Sequence, residues 1–206
     1  MLIKWLGHAC FKITENGYSV IIDPYKPKMV PGLSEFEATA DKLLCSHDHP
    51  DHHYTEGVII NKDKKENPFC IETISSYHDD KKGKKRGLNI MHILKSDSHK
   101  IAHLGDQGVI PTRHQLKYLE GLDVMMIPVG GHYTIEPEEA KTICDHVHPK
   151  LIFPMHFRTQ HMGFEVLKHI KSFTELFPPR LIKTLNTNEI EIYDPSEKGE
   201  VIVFSL

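Results

Sequence analysis

The segment SHDHPDHH, from Ser46 to His53, carries the pattern that decides how this chain folds and what it binds. It follows the apolar run KLLC over residues 42–45, which predicts a short buried strand that ends at the segment. Four of the imidazole and carboxylate side chains within its next six residues have the spacing of metal ligands: His47, His49, Asp51 and His52. Two histidines separated by one residue in extended chain can point to the same side, and the last two donors follow the turn at Pro50. Imidazole nitrogens and carboxylate oxygens are the ligands of zinc, manganese or iron in hydrolytic sites, so the segment predicts a metal centre rather than a solvated His-rich loop.

Length and composition predict one globular domain over residues 1–206. The hydrophobic content is 39% and the charged content 26%, as in ordinary globular proteins. A net charge of −3 and a pI near 6.6 argue against a broad nucleic-acid or anionic-membrane face. The longest apolar runs, such as residues 124–129, are far too short to span a bilayer.

The N-terminus and the cysteines indicate the compartment. The opening MLIKWLGHACFKI lacks the features of a signal peptide and predicts a first strand. The four cysteines are scattered without a C-x-x-C pair, which predicts buried thiols in a reducing compartment. We therefore expect a cytoplasmic protein.

Hydrophobic periodicity predicts strands first and strand–helix alternation later. Strands are expected over residues 3–6, 10–14, 19–22, 42–45, 69–74, 89–94, 100–104, 122–129, 151–155, 190–193 and 201–205, the last two as edge strands. Helices are expected over residues 112–120, 136–147 and 163–177. This order predicts an α/β sandwich, with sheets packed face to face and helices outside.

Further candidate ligands lie where other predicted strands end: His78, Asp106 and His156. For His78 the alternatives are His92, His99 and His103. The first two are expected to be solvent-exposed, on or beside a turn between strands. His103 stands three residues before Asp106 in a strand, so its side chain should face away from the site and pack or support a ligand.

Eight short segments, most of which contain candidate ligands, follow one another along the chain: LGHACF at Leu6, IIDPY at Ile21, SHDHPDHH at Ser46, YHD at Tyr77, GKKRGLN at Gly83, HLGD at His103, PVGGHYT at Pro128 and PMHF at Pro154. With them the chain resembles the metallo-β-lactamase fold superfamily, and more narrowly its small metal-dependent hydrolases related to L-ascorbate 6-phosphate lactonase. The resemblance implies an αββα four-layer sandwich built on two mixed sheets.

The resemblance also implies a division of the ligands between two divalent ions. The first ion would be held by His47, His49 and His78, and the second by Asp51, His52 and His156. Asp106 would bridge them, and a hydroxide shared by the ions would be the nucleophile. Zn²⁺ is the expected metal, with Mn²⁺ or Fe²⁺ as alternatives, because such sites bind several first-row ions.

Residues around the centre have expected roles as well. Asp23 is expected either to accept a hydrogen bond from a metal-bound imidazole or to begin an Asp-Pro turn. The resemblance places His8 along the site, and it includes Arg86, which ends a run of four lysines. Arg86 and His132, like Asp51 and Asp106, are expected to act on the substrate; a guanidinium can grip a phosphate or carboxylate in bidentate fashion.

The expected function is a dinuclear metal-dependent hydrolase that cleaves a C–O or P–O bond in a small anionic metabolite, such as a lactone, an ester or a phosphodiester. A nuclease or phosphodiesterase of the same fold is one alternative, although the slightly acidic chain disfavours nucleic acid as a partner. A non-catalytic metal-binding module is the other, and the presence of all seven expected ligands argues against it. No membrane partner is expected, and the sequence leaves a homo-oligomer open.

Overall fold

Two mixed β-sheets contain most of the strands in the computed structural model, which describes residues 1–63 and 65–206. The first sheet has five strands, β1 (Leu2–Gly7), β2 (Cys10–Glu15), β3 (Tyr18–Ile22), β5 (Lys42–Leu44) and β13 (Glu189–Glu191), in the order β13-β1-β2-β3-β5. Asn16 and Gly17 form the predicted hairpin turn between β2 and β3, and both have positive φ angles of 50° and 77°.

The second sheet has seven strands, β7 (Cys70–Tyr77), β8 (Leu88–Lys95), β9 (Lys100–His103), β10 (Val124–Pro128), β11 (Leu151–Met155), β12 (Ile182–Thr184) and β14 (Glu200–Val203). Their order is β12-β14-β11-β10-β9-β8-β7. The short strands β4 (Ala38–Ala40) and β6 (Val58–Ile60) pair with each other in parallel, apart from both sheets.

Three α-helices connect strands of the seven-stranded sheet: α1 (Arg113–Tyr118), α2 (Pro137–Val147) and α3 (Lys171–Thr174). Thr112 caps α1 as predicted, through a reciprocal pair of hydrogen bonds with Gln115. The helix α2 begins at Pro137 and buries Ala140, Ile143 and Val147 along one face. Two short 3-10 helices span Thr55–Gly57 and Pro179–Leu181.

Aromatic side chains join the two sheets across one apolar core. The Phe11 ring of β2 lies 6.4 Å from the Phe153 ring of β11, and Phe204 packs against both. Trp5 of β1 stacks on Phe157 at 5.7 Å. These contacts come from opposite sheets, so the predicted sandwich of two mixed sheets packed face to face is confirmed.

Strand direction determines where the site lies. In the five-stranded sheet β1, β3 and β5 run the same way, because β2 is antiparallel to its two neighbours and β3 pairs with β5 in parallel. In the seven-stranded sheet β9, β10 and β11 are parallel, and β7 runs with β9 because both are antiparallel to β8. The carboxyl ends of these strands therefore meet at one edge of each sheet, where every candidate ligand follows a strand.

The predicted helix over residues 163–177 is wrong, since only α3 is helical there. The backbone before α3 finds partners outside itself: Gly163 donates to Pro31, Lys168 donates to Gly130, and Arg158 forms an isolated parallel bridge with His169. Tertiary hydrogen bonds thus replace the local ones that a helix would need.

Three smaller expectations are also corrected. β14 is not an edge strand, because the unpredicted β12 pairs with its outer side. His92 is buried rather than exposed and lies opposite His103 in the sheet, with its Nε2 3.0 Å from the Cys45 carbonyl. Cys10 and Cys144 are buried as expected, but Cys70 is exposed.

Of the helices in the described part of the chain, none has the length and apolar character to span a bilayer.

Candidate metal centre

Three histidines form a first group of donors. His47 and His49 follow β5, and His78 follows β7, where the two sheets meet. Their donor nitrogens all lie within 4.8 Å of one another, and the His47 ring centroid is 4.5 Å from that of His49 and 4.7 Å from that of His78. We call this group of His47, His49 and His78 the first cluster. Its members are the ones that the family resemblance assigns to one ion.

Four side chains form a second group, the second cluster, whose donor atoms also lie within 4.8 Å of one another: His8, Asp51, His52 and His156. One oxygen of Asp51, Oδ2, lies 3.3 Å from His8 Nε2 and 3.6 Å from His52 Nε2. The His8 and His156 ring centroids are 4.2 Å apart. His8 therefore lines the site, and it belongs to the same group as the three residues that the family resemblance assigns to the second ion.

Asp106 lies between the two clusters. Its Oδ2 is 3.1 Å from His78 Nε2 and 3.9 Å from His47 Nε2, both in the first cluster. The same carboxylate reaches His156 Nε2 at 3.2 Å and His52 Nε2 at 3.3 Å, both in the second. One side chain thus contacts imidazoles of both groups.

The turn that carries Asp106 requires glycine on both sides. A Cβ on Gly105 would lie 2.5 Å from the Ser46 Cβ, and Gly105 has a φ of +56° that favours glycine. A Cβ on Gly108 would lie 2.3 Å from the backbone carbonyl carbon of His78. The glycines allow this turn to pack directly against the segments that supply the first cluster.

Three non-glycine residues at the site have left-handed backbone conformations: His8, Asp23 and His156, with φ angles of 52°, 53° and 53°. Each follows the last residue of a strand that points at the site. Such conformations cost about 1–3 kcal/mol each and tend to cluster at functional sites. The strained turns direct these side chains inward, where continued strands would have carried them past the site.

Asp23 supports both clusters through its two carboxylate oxygens. Its Oδ2 accepts a hydrogen bond of 2.9 Å from His52 Nδ1 and one of 2.6 Å from the Ser46 hydroxyl, and its Oδ1 accepts from the Ser46 backbone N–H at 2.7 Å. Because the Ser46 hydroxyl donates to Asp23, it accepts from His47 Nδ1 at 2.8 Å. In the neutral imidazoles this network places the proton on Nδ1 of both histidines, so that Nε2 carries the lone pair.

The predicted hydrogen bond between Asp23 and an imidazole is thus present, and the link through Ser46 is an addition to it. The Asp23 donor atoms also lie near His47 and His52, but both oxygens are already occupied by hydrogen bonds. Asp23 therefore supports candidate ligands and is not one itself.

Several buried donor atoms have no hydrogen-bond partner within the described residues, and they test whether the site fits a metal. His47 Nε2, His52 Nε2 and Asp106 Oδ1 are all of this kind. His52 Nε2 lies 3.3 Å from Asp106 Oδ1, and His47 Nε2 lies 3.9 Å from the other oxygen of the same carboxylate. A buried polar atom without a partner costs about 1–3 kcal/mol. A divalent first-row ion satisfies imidazole nitrogens and carboxylate oxygens that converge in this way, so these residues fit a metal ion.

The ionisation of the centre agrees with that use. Burial, followed by the neighbouring His52, lowers the pKa of His47 to about 3, and burial and His156 lower the pKa of His8 to about 4. Both imidazoles are therefore neutral donors at neutral pH. Burial opposes protonation of His52, but the carboxylates of Asp106 and Asp23 raise its pKa well above the ordinary value. The negative charge that holds that proton is available to a metal cation instead.

Arg86 lies at the mouth of the first cluster. A cavity of about 440 Å³ is lined by His47, His49, Arg86, Leu88 and their neighbours. The Arg86 guanidinium carbon lies 5.4 Å from the centre of the Tyr133 ring, in a cation–π contact. Within the residues that the structure describes, Arg86 has no carboxylate partner.

Asp79 fixes the loop that carries Arg86. Its buried carboxylate accepts hydrogen bonds of 2.7–3.0 Å from four backbone N–H groups: those of Lys81, Gly83, Lys85 and Arg86. Burial opposes ionisation, but these four donors hold the pKa of Asp79 at about 2. The loop of positive residues is thus ordered around a carboxylate, which sequence analysis did not anticipate although Asp79 stands in the YHD segment.

The remaining predicted residues lie outside the clusters. His132 is exposed, and its ring packs edge-on against Tyr133 at 4.5 Å. Tyr133 was missed and approaches more closely, 6.5 Å from the His156 ring, although it stands beside His132 in the same PVGGHYT segment. His103 packs under the site as expected, with its Nε2 2.8 Å from the Ala9 carbonyl. His99 is partly exposed and lies 3.3 Å from Glu15.

Comparison with known proteins identifies the family. A family model described as a beta-lactamase superfamily domain matches residues 2–156. A UPF0173 metal-dependent hydrolase of Caldivirga maquilingensis is 28% identical over 210 residues, covering 87% of this chain and 92% of that protein. A crystal structure from Thermotoga maritima, assigned to the Zn-dependent hydrolases of the metallo-beta-lactamase superfamily, is 31% identical, covers 98% of this chain and 97% of its own, and gives a TM-score of 0.76.

Human tRNase Z, short form, shares only the fold with this chain. It is 12% identical, with 78% of this chain and 93% of that chain covered and a TM-score of 0.57. Fold alone does not carry an activity across such a distance. The model match and the Thermotoga likeness do establish membership: the chain belongs to the beta-lactamase superfamily, with the metallo-beta-lactamase fold, and is a metal-dependent hydrolase.

Proposed function

We propose that the chain is a dinuclear hydrolase that cleaves a C–O or P–O bond in a small anionic metabolite. In this proposal His47, His49 and His78 hold one ion, Asp51, His52 and His156 hold the other, and Asp106 is shared. The observation that carries the proposal is the position of Asp106, whose carboxylate lies 3.1 Å from His78 of the first cluster and 3.2 Å from His156 of the second. A carboxylate that lies between two groups of donors can be shared by two cations.

Two divalent ions, Zn²⁺ first with Mn²⁺ or Fe²⁺ as alternatives, would supply Lewis acidity that activates water at neutral pH and polarises the scissile bond. The protein's own residues prepare for them. Asp23 accepts, directly or through Ser46, from the Nδ1 atoms of His47 and His52, which directs their Nε2 atoms towards the centre. Asp106 brings negative charge to the point where two positive charges would be closest.

His8 is proposed as an additional donor to the second ion. It is fully buried, neither ring nitrogen has a hydrogen-bond partner within the described residues, and its Nε2 lies 3.3 Å from Asp51 Oδ2. An imidazole in that position without a partner is otherwise a net cost to folding. Binding a cation together with Asp51 would offset that cost.

The substrate's negative charge is proposed to bind Arg86. The guanidinium lines the same cavity as His47 and His49, and Tyr133 and the Asp79-anchored loop hold it in place. A fixed guanidinium loses little side-chain entropy when it binds a carboxylate or phosphate with two hydrogen bonds. His132, exposed beside Tyr133, is the proposed contact for the outer part of the substrate.

Metal analysis followed by a substrate panel tests this function. Purified protein should contain two transition-metal ions per chain by elemental analysis, lose them to a strong chelator, and regain activity with Zn²⁺ or Mn²⁺. The panel should contain lactones, carboxylic esters, bis-aryl phosphodiesters and single-stranded RNA. Turnover of one of the small anions supports the proposal. A stoichiometry below one, hydrolysis that survives chelation, or turnover of RNA alone would overturn it.

A further inference from the structure

The outer face of the β7–β8 hairpin exposes large apolar side chains beside the candidate centre. Tyr77 and Leu88 are direct cross-strand partners, and their side chains are 36% and 61% exposed. Ile110, in the segment that leads to α1, is 45% exposed on the same cavity. Contiguous exposed apolar surface of this kind marks binding sites more often than chance.

These side chains line a groove of about 620 Å³ that runs from the hairpin to α1. Ile74, Val109 and Ile110 contribute to its apolar lining. Gln115 of α1 fixes the far side, since its side-chain N–H donates to the Ser75 carbonyl at 2.8 Å. The volume falls in the range of about 300–1,000 Å³ that is usual for small-molecule sites.

The groove adjoins the cavity at the first cluster, because Ser75 and Leu88 line both spaces. Leu88 follows Arg86 by two residues, after Gly87 with its φ of +91° turns the chain. One short segment therefore presents a guanidinium to the cavity that holds His47 and His49, and an apolar side chain to the wall shared with the groove.

Resting on the proposed function, we infer that the substrate is an amphiphilic anion: an ester or lactone whose charged group binds Arg86 and whose acyl chain or aryl group lies along Leu88, Tyr77 and Ile110. Its hydrolysis consumes one water, breaks the C–O bond of the acyl group, and yields a carboxylic acid and a hydroxyl group. A second copy of the chain is the competing occupant of this face. The position of the groove beside the cavity at the first cluster favours the substrate, because a partner chain would not need to bind next to the candidate centre.

Equilibrium binding tests the groove without depending on turnover. The metal-loaded protein should be titrated calorimetrically with straight-chain alkyl phosphonates from two to ten carbons. Burying a methylene is worth about 0.8 kcal/mol, which corresponds to about fourfold in Kd, so a partly open groove should give about twofold to fourfold tighter binding per CH₂. The same series of acyl chains on a hydrolysable ester should show a parallel rise in kcat/KM.

Leu88→Asp should weaken this dependence of affinity on chain length. Ile110→Asp should do the same for the longer chains. Because Ile110 lies outside any strand, this second variant can replace Leu88→Asp if that protein does not fold. Ile59→Asp is the matched control, because Ile59 is 54% exposed and lines neither cavity. The control should keep the wild-type slope.

Three outcomes would overturn the inference. Affinity independent of chain length would do so, as would equal slopes for the wild type, Leu88→Asp and Ile110→Asp. Sedimentation velocity that shows a dimer dissociated by Leu88→Asp, with the slope unchanged, would assign the face to a second copy. Failure of the proposed function is separate: it would show as absent metals or absent turnover across the panel, whereas failure of the groove alone would leave turnover intact without selection for chain length.

Discussion

The two donor clusters differ in charge and in burial. The first consists of three imidazoles, with His49 partly exposed and the Arg86 cavity open onto it. The second has a carboxylate of its own, Asp51, and its imidazoles from His8, His52 and His156 are between 0% and 1% exposed. Asp106 lies between these two environments.

This difference indicates which side of the centre we expect to meet the substrate. A dication in the second cluster would have its charge partly neutralised by Asp51 among buried imidazoles, where electrostatic attraction is stronger than in water. A dication in the first cluster would rely on neutral imidazoles and on Asp106, but it would face the cavity. We therefore expect the second ion to be the tighter one and the first ion to meet the substrate and exchange with solvent.

Asp106→Ala should have the largest effect, because it removes the carboxylate that both clusters share. We expect loss of both ions and of all hydrolytic activity, measured by elemental analysis and by turnover of the best substrate in the panel. Asp48→Ala is the control: Asp48 lies in the same SHDHPDHH segment, but its side chain is 94% exposed. An Asp106→Ala protein that still binds two ions would show that the two clusters do not depend on a shared carboxylate.

Removing one ligand from each cluster, in separate variants, should affect one ion at a time. His78→Ala should release one ion and leave the other, since His78 belongs to the first cluster alone. His8→Ala should weaken the ion in the second cluster, which a Co²⁺-substituted protein would report through its visible absorption spectrum. If both variants lost the same ion, or if His8→Ala left the Co²⁺ spectrum and the metal affinity unchanged, the assignment of these residues to separate ions would be wrong.

Arg86→Ala should affect substrate binding and leave both ions in place. Losing one charge-assisted bidentate contact should cost roughly 1.5–3 kcal/mol, or about 10–150-fold in kcat/KM, chiefly through KM. Arg86→Lys should recover only part of the loss, because an ammonium lacks the planar fork. Lys84→Ala, in the same loop, is the control and should behave as wild type. Equal kinetics for wild type and Arg86→Ala would place the substrate's charge elsewhere.

The smallest effects should come from the hydrogen bonds behind the ligands. Asp23→Ala should lower metal affinity or activity by about 10–100-fold and should act on both clusters, because Asp23 supports His52 directly and His47 through Ser46. Ser46→Ala should cost less and should weaken only the first cluster. Competition titrations with a metallochromic chelator would separate the two affinities. A Ser46→Ala protein that loses the second ion first would contradict the assignment of Ser46 to the support of His47.

Much of the fold followed from local pattern. Period-two alternation and continuous apolar runs found most strands of both sheets, and the Asn16–Gly17 turn and the Thr112 cap were correct because each depends on neighbours in sequence. The errors lie where distant partners decide. The segment before α3 pairs with Pro31 and Gly130 instead of forming a helix, and β12 pairs with the outer side of β14.

The candidate site divides in the same way. The sequence by itself determined which donor types are present and that each follows a strand, because strand ends are marked by local apolar runs and turns. Only the tertiary structure decided which of them converge: His8 joins Asp51 and His156, and Asp23 reaches His52 across 29 residues. It also decided that Tyr133, not its neighbour His132, approaches the centre. The physical reason is that the direction and register of paired strands set these distances, and both depend on hydrogen bonds between segments far apart in the chain.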